Sequence, residues 1–555
     1  MQPSLEETIA SDSTEKNEFS GLTPHERKLR AEAIISLVRS ETNTSIRSME
    51  KIIQAFKVVD PYSKVLSDVE LERTKLTYIT DYGIESYCKS RLKEMLYRAD
   101  GVVVYLDTAT FKQLSSETGS ISKNLDLVVR FHNEASQRIE CHYLDTAQLY
   151  SETAEIQLEV LMKVCEDFDI LHKVMQAGLD GPNVNKKLVK LFQQKHKEMF
   201  KDASMFIDLG SCNIHPAHNA FKAFTKAVEG VNISQLLNCL HSIFKLSTVR
   251  RKRYADICLE LIGKIEFFLR HVASRWLTAG PAISRVIFHF EALQEFLRTM
   301  PEYEPAMVKE NKEVYRVLNE FFLCEEADEN LVKLYFIEYV AGIHEEYCLK
   351  LQTESPVIPF LQEESLYLFK RILGIVCNTA DIPSHPKNIV SLKLEEFADD
   401  SKRRKKPLDA GGYLLKELPK YPALQKNLRK AVIADAKHLQ KHLNLDNDYQ
   451  IQVSAFDPKN REETKTKRYM TELGSKLLNK TENKKLSAQI DAYIIVADVA
   501  PYTNNKNNRL DRDFYPEVFE AMTRNLGYKP VEFIKLTKLV LSLSHGQASI
   551  ERSFR

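Results

Sequence analysis

The hydrophobic pattern of the N-terminal part of the chain predicts helices. Between residues 26 and 98, apolar residues recur three and four positions apart, as they do on one face of an α-helix. In the first of these helices that face consists of Leu29, Ala33, Ile34, Leu37 and Val38. Pro61 interrupts the pattern, and a second helical run covers residues 79–97. Residues 1–25 are rich in Ser, Thr and Glu, and this composition predicts a disordered tail.

Short strands are predicted from residue 101 onwards. Residues 101–106 form an apolar, β-branched run, and residues 125–131 and 138–144 alternate between apolar and polar positions. Three such segments in succession predict an antiparallel meander. The elements predicted next are a helix over 154–168, a short strand over 171–177, a Lys-rich helix over 184–200 and a strand over 205–209. The order β-β-β-α-β-α-β predicts a mixed-sheet α/β region, and it is the order of an RNase H-like fold.

The rest of the chain is predicted to be mostly helical. Apolar residues recur at helical spacing from about residue 216 to residue 505, and no fixed repeat period indicates a solenoid. Residues 514–543 are amphipathic again, with Pro530 at the start of a new helix. Hydrophilic breaks between these helices lie near residues 379–388, 398–411 and 455–466.

Composition and charge exclude several classes of protein. The 555 residues include 78 Lys and Arg against 77 Asp and Glu, so any affinity for nucleic acid must come from local patches. The nine cysteines have no regular spacing, which favours a reducing compartment over a disulfide framework. The polar N-terminus lacks the apolar segment of a signal peptide, and no apolar run is long enough to span a bilayer.

Two aspartates occupy positions that suit metal-dependent phosphodiester chemistry. Asp107 follows the first apolar strand, and Asp180 lies between the short strand and the Lys-rich helix. Two hard cations held by carboxylate oxygens activate an attacking hydroxyl and stabilise a leaving oxygen. Carboxylates on adjacent strands suit this task because the sheet fixes their separation. Taken alone, each aspartate fits equally well as a turn or helix cap.

Five segments, in the same order along the chain, together resemble the hAT family of DNA transposases. Two are Val-Tyr-Leu-Asp-Thr at 104–108 and Gly-Leu-Asp-Gly-Pro-Asn-Val-Asn at 178–185. Two more are Asp-Leu-Gly-Ser-Cys-Asn-Ile-His at 208–215 and Ser-Arg-Trp-Leu at 274–277. The fifth is Ser-Ile-Glu-Arg-Ser-Phe at 549–554. Each segment alone is a weak signal, whereas their common order is a strong one.

The resemblance implies an architecture. The fold class would be α/β plus α, an RNase H-like mixed sheet interrupted by a long all-α insertion and preceded by an N-terminal helical domain. The implied divisions are the tail (1–25), a helical dimerisation or DNA-contact domain (26–99), the first part of the core (100–229), the insertion (230–510) and the shortened final part of the core (511–555).

The resemblance also implies site residues. Asp107, Asp180 and Glu551 would be the catalytic acids and would bind two Mg²⁺ or Mn²⁺ ions. Cys212 and His215 would support this site. The implied DNA contacts are Arg275 and Trp276, of which Trp276 suits stacking on a flipped base.

Several of these residues also have simpler interpretations. Glu551 fits a solvated helix residue, and Trp276 fits a core aromatic. Cys212, His215 and His218 have the spacing of zinc ligands. A structural zinc ion normally has four ligands, however, and no fourth lies nearby in the sequence, so no structural zinc is expected.

Two basic runs bear on DNA binding and on nuclear localisation. Lys402, Arg403 and Arg404 begin a run to residue 406 that suits a solvated loop, nuclear import or phosphate contact; residues 464–468 form a weaker second patch. The sequence thus predicts an intracellular, nuclear homo-oligomer that acts on double-stranded DNA at transposon ends, without a membrane partner. The alternative is a catalytically inactive, transposon-derived protein that binds DNA or other proteins through the insertion.

Overall fold

Helices dominate the fold, and the strands form one small sheet. In the computed structural model of the chain, most residues are helical and four strands make a mixed sheet, so the fold class is α/β plus α. Two compact units are present, Met1–Ala177 with Leu191–Met205 and Gly178–Lys190 with Phe206–Arg555. The structure describes residues 22–111, 122–203, 205–245, 247–272, 278–305, 312–353, 355–398, 407–408, 410, 412–495 and 514–546.

Five α-helices precede the sheet in the first unit. They are α1 (Pro24–Glu41), α2 (Ile46–Val59), α3 (Lys64–Asp68), α4 (Arg73–Tyr78) and α5 (Glu85–Arg98), with a π-helical segment, Ile79–Ile84, between α4 and α5. A capping box starts α1. Thr23 Oγ1 accepts the Glu26 N–H at 3.3 Å, and Glu26 Oε2 accepts the Thr23 N–H at 2.7 Å. Pro61 lies in the turn between α2 and α3, where the sequence predicts a break.

The apolar face predicted for α1 is wrong. Leu29 and Ile34 are 46% and 42% exposed, whereas Glu32 is fully buried. The reason is a polar interaction that hydrophobic periodicity does not detect. Lys75 Nζ lies 2.7 Å from the Glu32 carboxylate, and the Glu70 N–H donates to Glu32 Oε1 at 3.0 Å. The apolar core of these helices consists of Met49, Ile53, Val69, Leu71 and Leu76, with Ala31, Ile35, Ile46 and Ile79 packed against it.

The predicted antiparallel meander is confirmed. β1 (Val102–Phe111), β2 (Ser122–Asn133) and β3 (Arg138–Leu149) pair in succession. A fourth strand, β4 (Val174–Gly178), lies beside β1, so that the strand order is β3-β2-β1-β4. Every residue from Val102 to Leu106 is at most 1% exposed. Burial on both faces explains why the first strand is a continuous apolar run rather than an alternating one.

The helices predicted on either side of β4 are also confirmed, but a predicted strand is not. Helix α6 spans Ala154–Asp167, and α7 spans Asn183–Phe200. The strand predicted over 205–209 is wrong, because these residues adopt no regular secondary structure. Side-chain amides bind the carbonyls that a neighbouring strand would otherwise bind. Asn447 Nδ2 donates to Asp208 O at 3.0 Å, and Gln450 Nε2 donates to Leu209 O at 2.7 Å.

The second unit is built from helices, in agreement with the predicted all-α character of this region. Asn427 joins distant parts of it, since its Nδ2 donates to Ala227 O at 3.1 Å and its Oδ1 accepts the Glu229 N–H at 3.0 Å.

No described helix combines the length and apolar character needed to cross a membrane. The α-helices after α7 are α8 (Ile214–Ala227), α9 (Ile233–Lys245), α10 (Thr248–Leu261), α11 (Ala279–Phe288), α12 (Phe290–Tyr303), α13 (Lys312–Phe322), α14 (Ala327–Leu351), α15 (Leu361–Gly374), α16 (Pro386–Val390), α17 (Gly412–Glu417), α18 (Pro422–His442), α19 (Asp448–Val453), α20 (Thr466–Leu477), α21 (Lys480–Ile495), α22 (Phe514–Leu526) and α23 (Val531–Ser542).

Candidate metal-binding site

Asp107 lies in a polar row that crosses the meander of the first unit. The sequence predicts Asp107 at the end of the first strand. It lies within β1 instead, because β1 continues to Phe111. Asp126 of β2 is directly opposite Asp107, and Thr146 of β3 is opposite Asp126. Residues opposite each other on antiparallel strands point to the same face of the sheet. Two carboxylates and one hydroxyl therefore share a face.

Asp126 is an acid of this row that the sequence reasoning missed. Its side chain is buried, the Thr146 hydroxyl donates to its Oδ1, and its buried Oδ2 has no hydrogen-bond partner among the described residues. Asp107 Oδ1 accepts the Thr108 N–H at 2.9 Å. A signal was present in the sequence, because an acid in an otherwise apolar strand is rare unless it is paired or liganded. Carboxylate oxygens are the hard donors that Mg²⁺ prefers.

Asp180 lies in the second unit, two residues after β4 ends. The Asn185 side-chain amide, from the first turn of α7, donates to Asp180 Oδ1. The Cys212 N–H donates to Leu179 O at 3.0 Å, which ties the segment before α8 to the Asp180 loop. Three predicted site residues, Asp180, Cys212 and His215, therefore lie in one region of this unit.

His215 is half-buried in the first turn of α8 and is close enough to Asp180 to interact electrostatically. Burial lowers the pKa of His215, the Asp180 carboxylate raises it, and Lys222 lowers it, with a net result below the usual value of 6.5. At pH 7 the imidazole is therefore neutral, with one N–H and one nitrogen lone pair. Such a ring can accept a proton or hydrogen-bond a ligand beside Asp180.

The residues that lead to the family-like C-terminal segment lie beside Cys212. Leu543, the first residue after α23, is fully buried, and His545 Nε2 lies 3.0 Å from Leu351 O. A methyl group added at Gly546 would lie 3.5 Å from Cys212 Sγ. Gly546 is the last described residue and precedes Glu551 by five positions (551 minus 546). The described part of the tail thus lies against the segment that holds the Asp180 loop.

The described residues contain no further predicted site residue. Within the described ranges, no group of three or more His, Cys, Asp or Glu side chains is arranged to hold a metal ion. The predicted third acid and the predicted DNA contacts lie outside the described residues, namely Glu551, Arg275, Trp276, Lys402, Arg403 and Arg404.

Comparisons with known proteins do not assign the chain to a family. No protein-family profile matches the chain, and no curated protein matches it.

Proposed function

We propose that this chain is a hAT-type DNA transposase, or a protein derived from one, with an RNase H-like core. The observation that carries the proposal is the junction of the Asp180 loop, the Cys212 segment and the start of the C-terminal tail in one unit. Two of the five segments that resemble the family meet there, beside residues 543–546, which lead to the fifth segment. The β-β-β-α-β-α order of the described elements agrees with the proposed core, in which the last expected strand is replaced by an irregular segment.

In this proposal Asp107, Asp180 and Glu551 bind two Mg²⁺ or Mn²⁺ ions. Such ions would act as Lewis acids on the attacking and leaving oxygens of a phosphodiester. The described residues fit this role in their donor chemistry, because Asp107 faces the same side of the sheet as Asp126, whose Oδ2 is buried without a described partner. Asn185 donates to Asp180 and would orient it, and neutral His215 would accept a proton or hydrogen-bond a DNA phosphate.

The partners follow from the same proposal. Double-stranded DNA at transposon ends is the substrate, bound in part by Arg275, Trp276 and the basic run that begins at Lys402. The protein acts in the nucleus as a homo-oligomer. In the second form of the proposal the chain has lost catalysis and keeps only binding to DNA or to other proteins.

A nicking assay on supercoiled plasmid tests the catalytic form. With the full chain and Mg²⁺ or Mn²⁺, we expect nicking that falls by about 100-fold or more in Asp107→Asn, Asp180→Asn and Glu551→Gln, since each variant removes a charged metal ligand. Asp208→Asn is the matched control, because Asp208 is an acid of the same unit as Asp180 but lies outside the proposed triad. It should keep activity.

Mn²⁺ titration by calorimetry separates the two forms of the proposal. Catalysis requires that the wild-type chain binds Mn²⁺ and that each triad variant weakens this binding. DNA binding without Mn²⁺ binding or nicking would support the inactive form. Nicking that persists in all three variants would overturn the assignment of the triad.

A further inference from the structure

A partly open cavity in the second unit lies along α8, the helix that also carries His215. Its empty space measures about 590 Å³ when the open solvent at its mouth is included. Residues of α8, α9, α11 and α14 line it. Two of these residues carry opposite charges, Lys222 on α8 and Glu345 on α14.

Glu345 is a partly buried acid whose only described hydrogen bond is to backbone. It accepts the Gly280 N–H at the start of α11. Its other oxygen, Oε1, is buried and has no hydrogen-bond partner among the described residues. Burial raises the pKa of Glu345, with a further contribution from Glu338. Position 280 must be glycine for this approach, because a methyl group there would collide with the Glu345 carboxylate.

Lys222, on α8, is the positively charged residue of the cavity. Like Glu345, it has no described counterion. Burial lowers the pKa of its ammonium, and the neighbouring Lys226 lowers it further. No ion pair within the described ranges joins Lys222 to Glu345 or to another acid. Partly desolvated charges without partners are costly, so a ligand that supplies both counter-charges would be favoured.

Two histidines of the same cavity, His271 and His344, have described partners. His271 Nε2 lies 3.3 Å from Ser234 Oγ, and its Nδ1 lies 3.1 Å from Thr278 Oγ1. Burial, together with Lys222, lowers the pKa of His271, so that it is neutral at pH 7. His344 Nε2 lies 2.8 Å from Asp435 Oδ2, in a buried pair. These rings therefore leave the charges of Lys222 and Glu345 for a ligand.

We propose that this cavity binds a small zwitterion, in which a cationic N–H group pairs with Glu345 and a carboxylate or phosphate pairs with Lys222. Apolar walls at Phe221, Ile233 and Ala341 would enclose the carbon chain between the two charged groups. Lys222 also acts electrostatically on His215, but the binding of a zwitterion does not depend on the proposed metal chemistry. Its chemistry alone selects the ligand class.

A series of ω-amino acids with one to six methylenes between ammonium and carboxylate tests this site. Isothermal titration calorimetry on the full chain should find one preferred length, because the two charged side chains are fixed on different helices. The matched alkylamines and alkanoic acids, which carry one charge each, should bind about tenfold more weakly or worse. A parallel series of aminoalkyl phosphates shows whether a carboxylate or a phosphate is the preferred anion.

Four variants make the result specific. Lys222→Met and Glu345→Gln should each reduce affinity for the preferred zwitterion by about tenfold or more. Lys430→Met, at an exposed position of α18 outside the cavity, and Glu346→Gln, next to Glu345 but outside the cavity, should leave it unchanged. The proposal is overturned if no member of either series binds the wild-type chain, or if the cavity variants bind as the two controls do.

Discussion

At the scale of single residues, the buried carboxylate of Glu32 shows how a polar contact can decide which face of a helix is inside. Glu32 is fully buried, while its partner Lys75 is 39% exposed. The ion pair is therefore partly screened, and the hydrogen bond from the Glu70 N–H is the better protected part of the interaction. Hydrophobic neighbours on α1, such as Leu29, remain exposed as a consequence.

Removing this carboxylate should loosen α1. We expect Glu32→Ala to lower the opening free energy of the protected α1 amides by about 1–3 kcal/mol, because it leaves the Glu70 N–H without an acceptor. Glu32→Gln should cost less, since its carbonyl still accepts that N–H. Hydrogen exchange measured over residues 24–41 reports the effect.

The exposed Glu41 at the end of the same helix provides the control, and Glu41→Gln should exchange like wild type. A Glu32→Leu, Lys75→Met double variant should recover part of the loss, because it removes both polar partners together. If Glu32→Ala exchanged at the wild-type rate, the contact would be irrelevant to the placement of α1.

At the scale of elements, strands and helices with strong local patterns were predictable from sequence, and elements fixed by distant polar groups were not. The apolar run before Asp107 and the alternating runs after it became β1, β2 and β3. The segment 205–209 has an equally strand-like pattern, yet Asn447 and Gln450, about 240 residues later (447 minus 208 is 239), bind its carbonyls. No local window contains that information.

The same limit applies to the candidate site. Only the family resemblance connects Asp180 with Cys212 and His215 in the sequence. Taken alone, Asp180 fits a turn, and Cys212, His215 and His218 have the spacing of zinc ligands. Asp126 was missed because its importance depends on strand register, which places it opposite Asp107. Register is set by pairing across the whole meander rather than by neighbouring residues.

The 205–210 segment also supports a prediction at this scale. Gln450 is fully buried, and Gln450→Leu would leave Leu209 O without its donor, at a cost of about 1–3 kcal/mol. We expect faster hydrogen exchange over residues 206–214, including the Cys212 amide that donates to Leu179 O. The measurement is peptide-resolved hydrogen exchange on the full chain.

Gln452→Leu is the matched control on the same helix, because Gln452 donates only to the side chain of Glu472 at the surface. This variant should leave residues 206–214 as protected as in wild type. Equal exchange in the two variants would mean that the Gln450 amide does not hold the segment.

At the scale of the whole molecule, charge balance limits how the chain could attract DNA. The formal net charge is +1, so no long-range field of one sign surrounds the protein. Any phosphate contact must therefore come from basic residues that acids of the same chain do not neutralise. The second basic run is neutralised in this way. Lys465, Lys467 and Arg468 all lie within ion-pair distance of an acid, namely Glu463, Asp491 and Glu472.

The ion pairs of the second run give a prediction for the salt dependence of DNA binding. If Lys402, Arg403 and Arg404 contact phosphates, replacing all three by Ala should reduce the slope of log K against log salt by about 2.7, at roughly 0.9 for each contact. The triple variant Lys465→Ala, Lys467→Ala, Arg468→Ala removes the same formal charge but breaks existing ion pairs, so its slope should stay near the wild-type value. Fluorescence anisotropy with a labelled duplex over a range of salt concentrations measures both slopes. Equal losses in the two variants would show that net charge, rather than the run at 402–404, governs the attraction; a loss in the control alone would move the phosphate contact to residues 465–468.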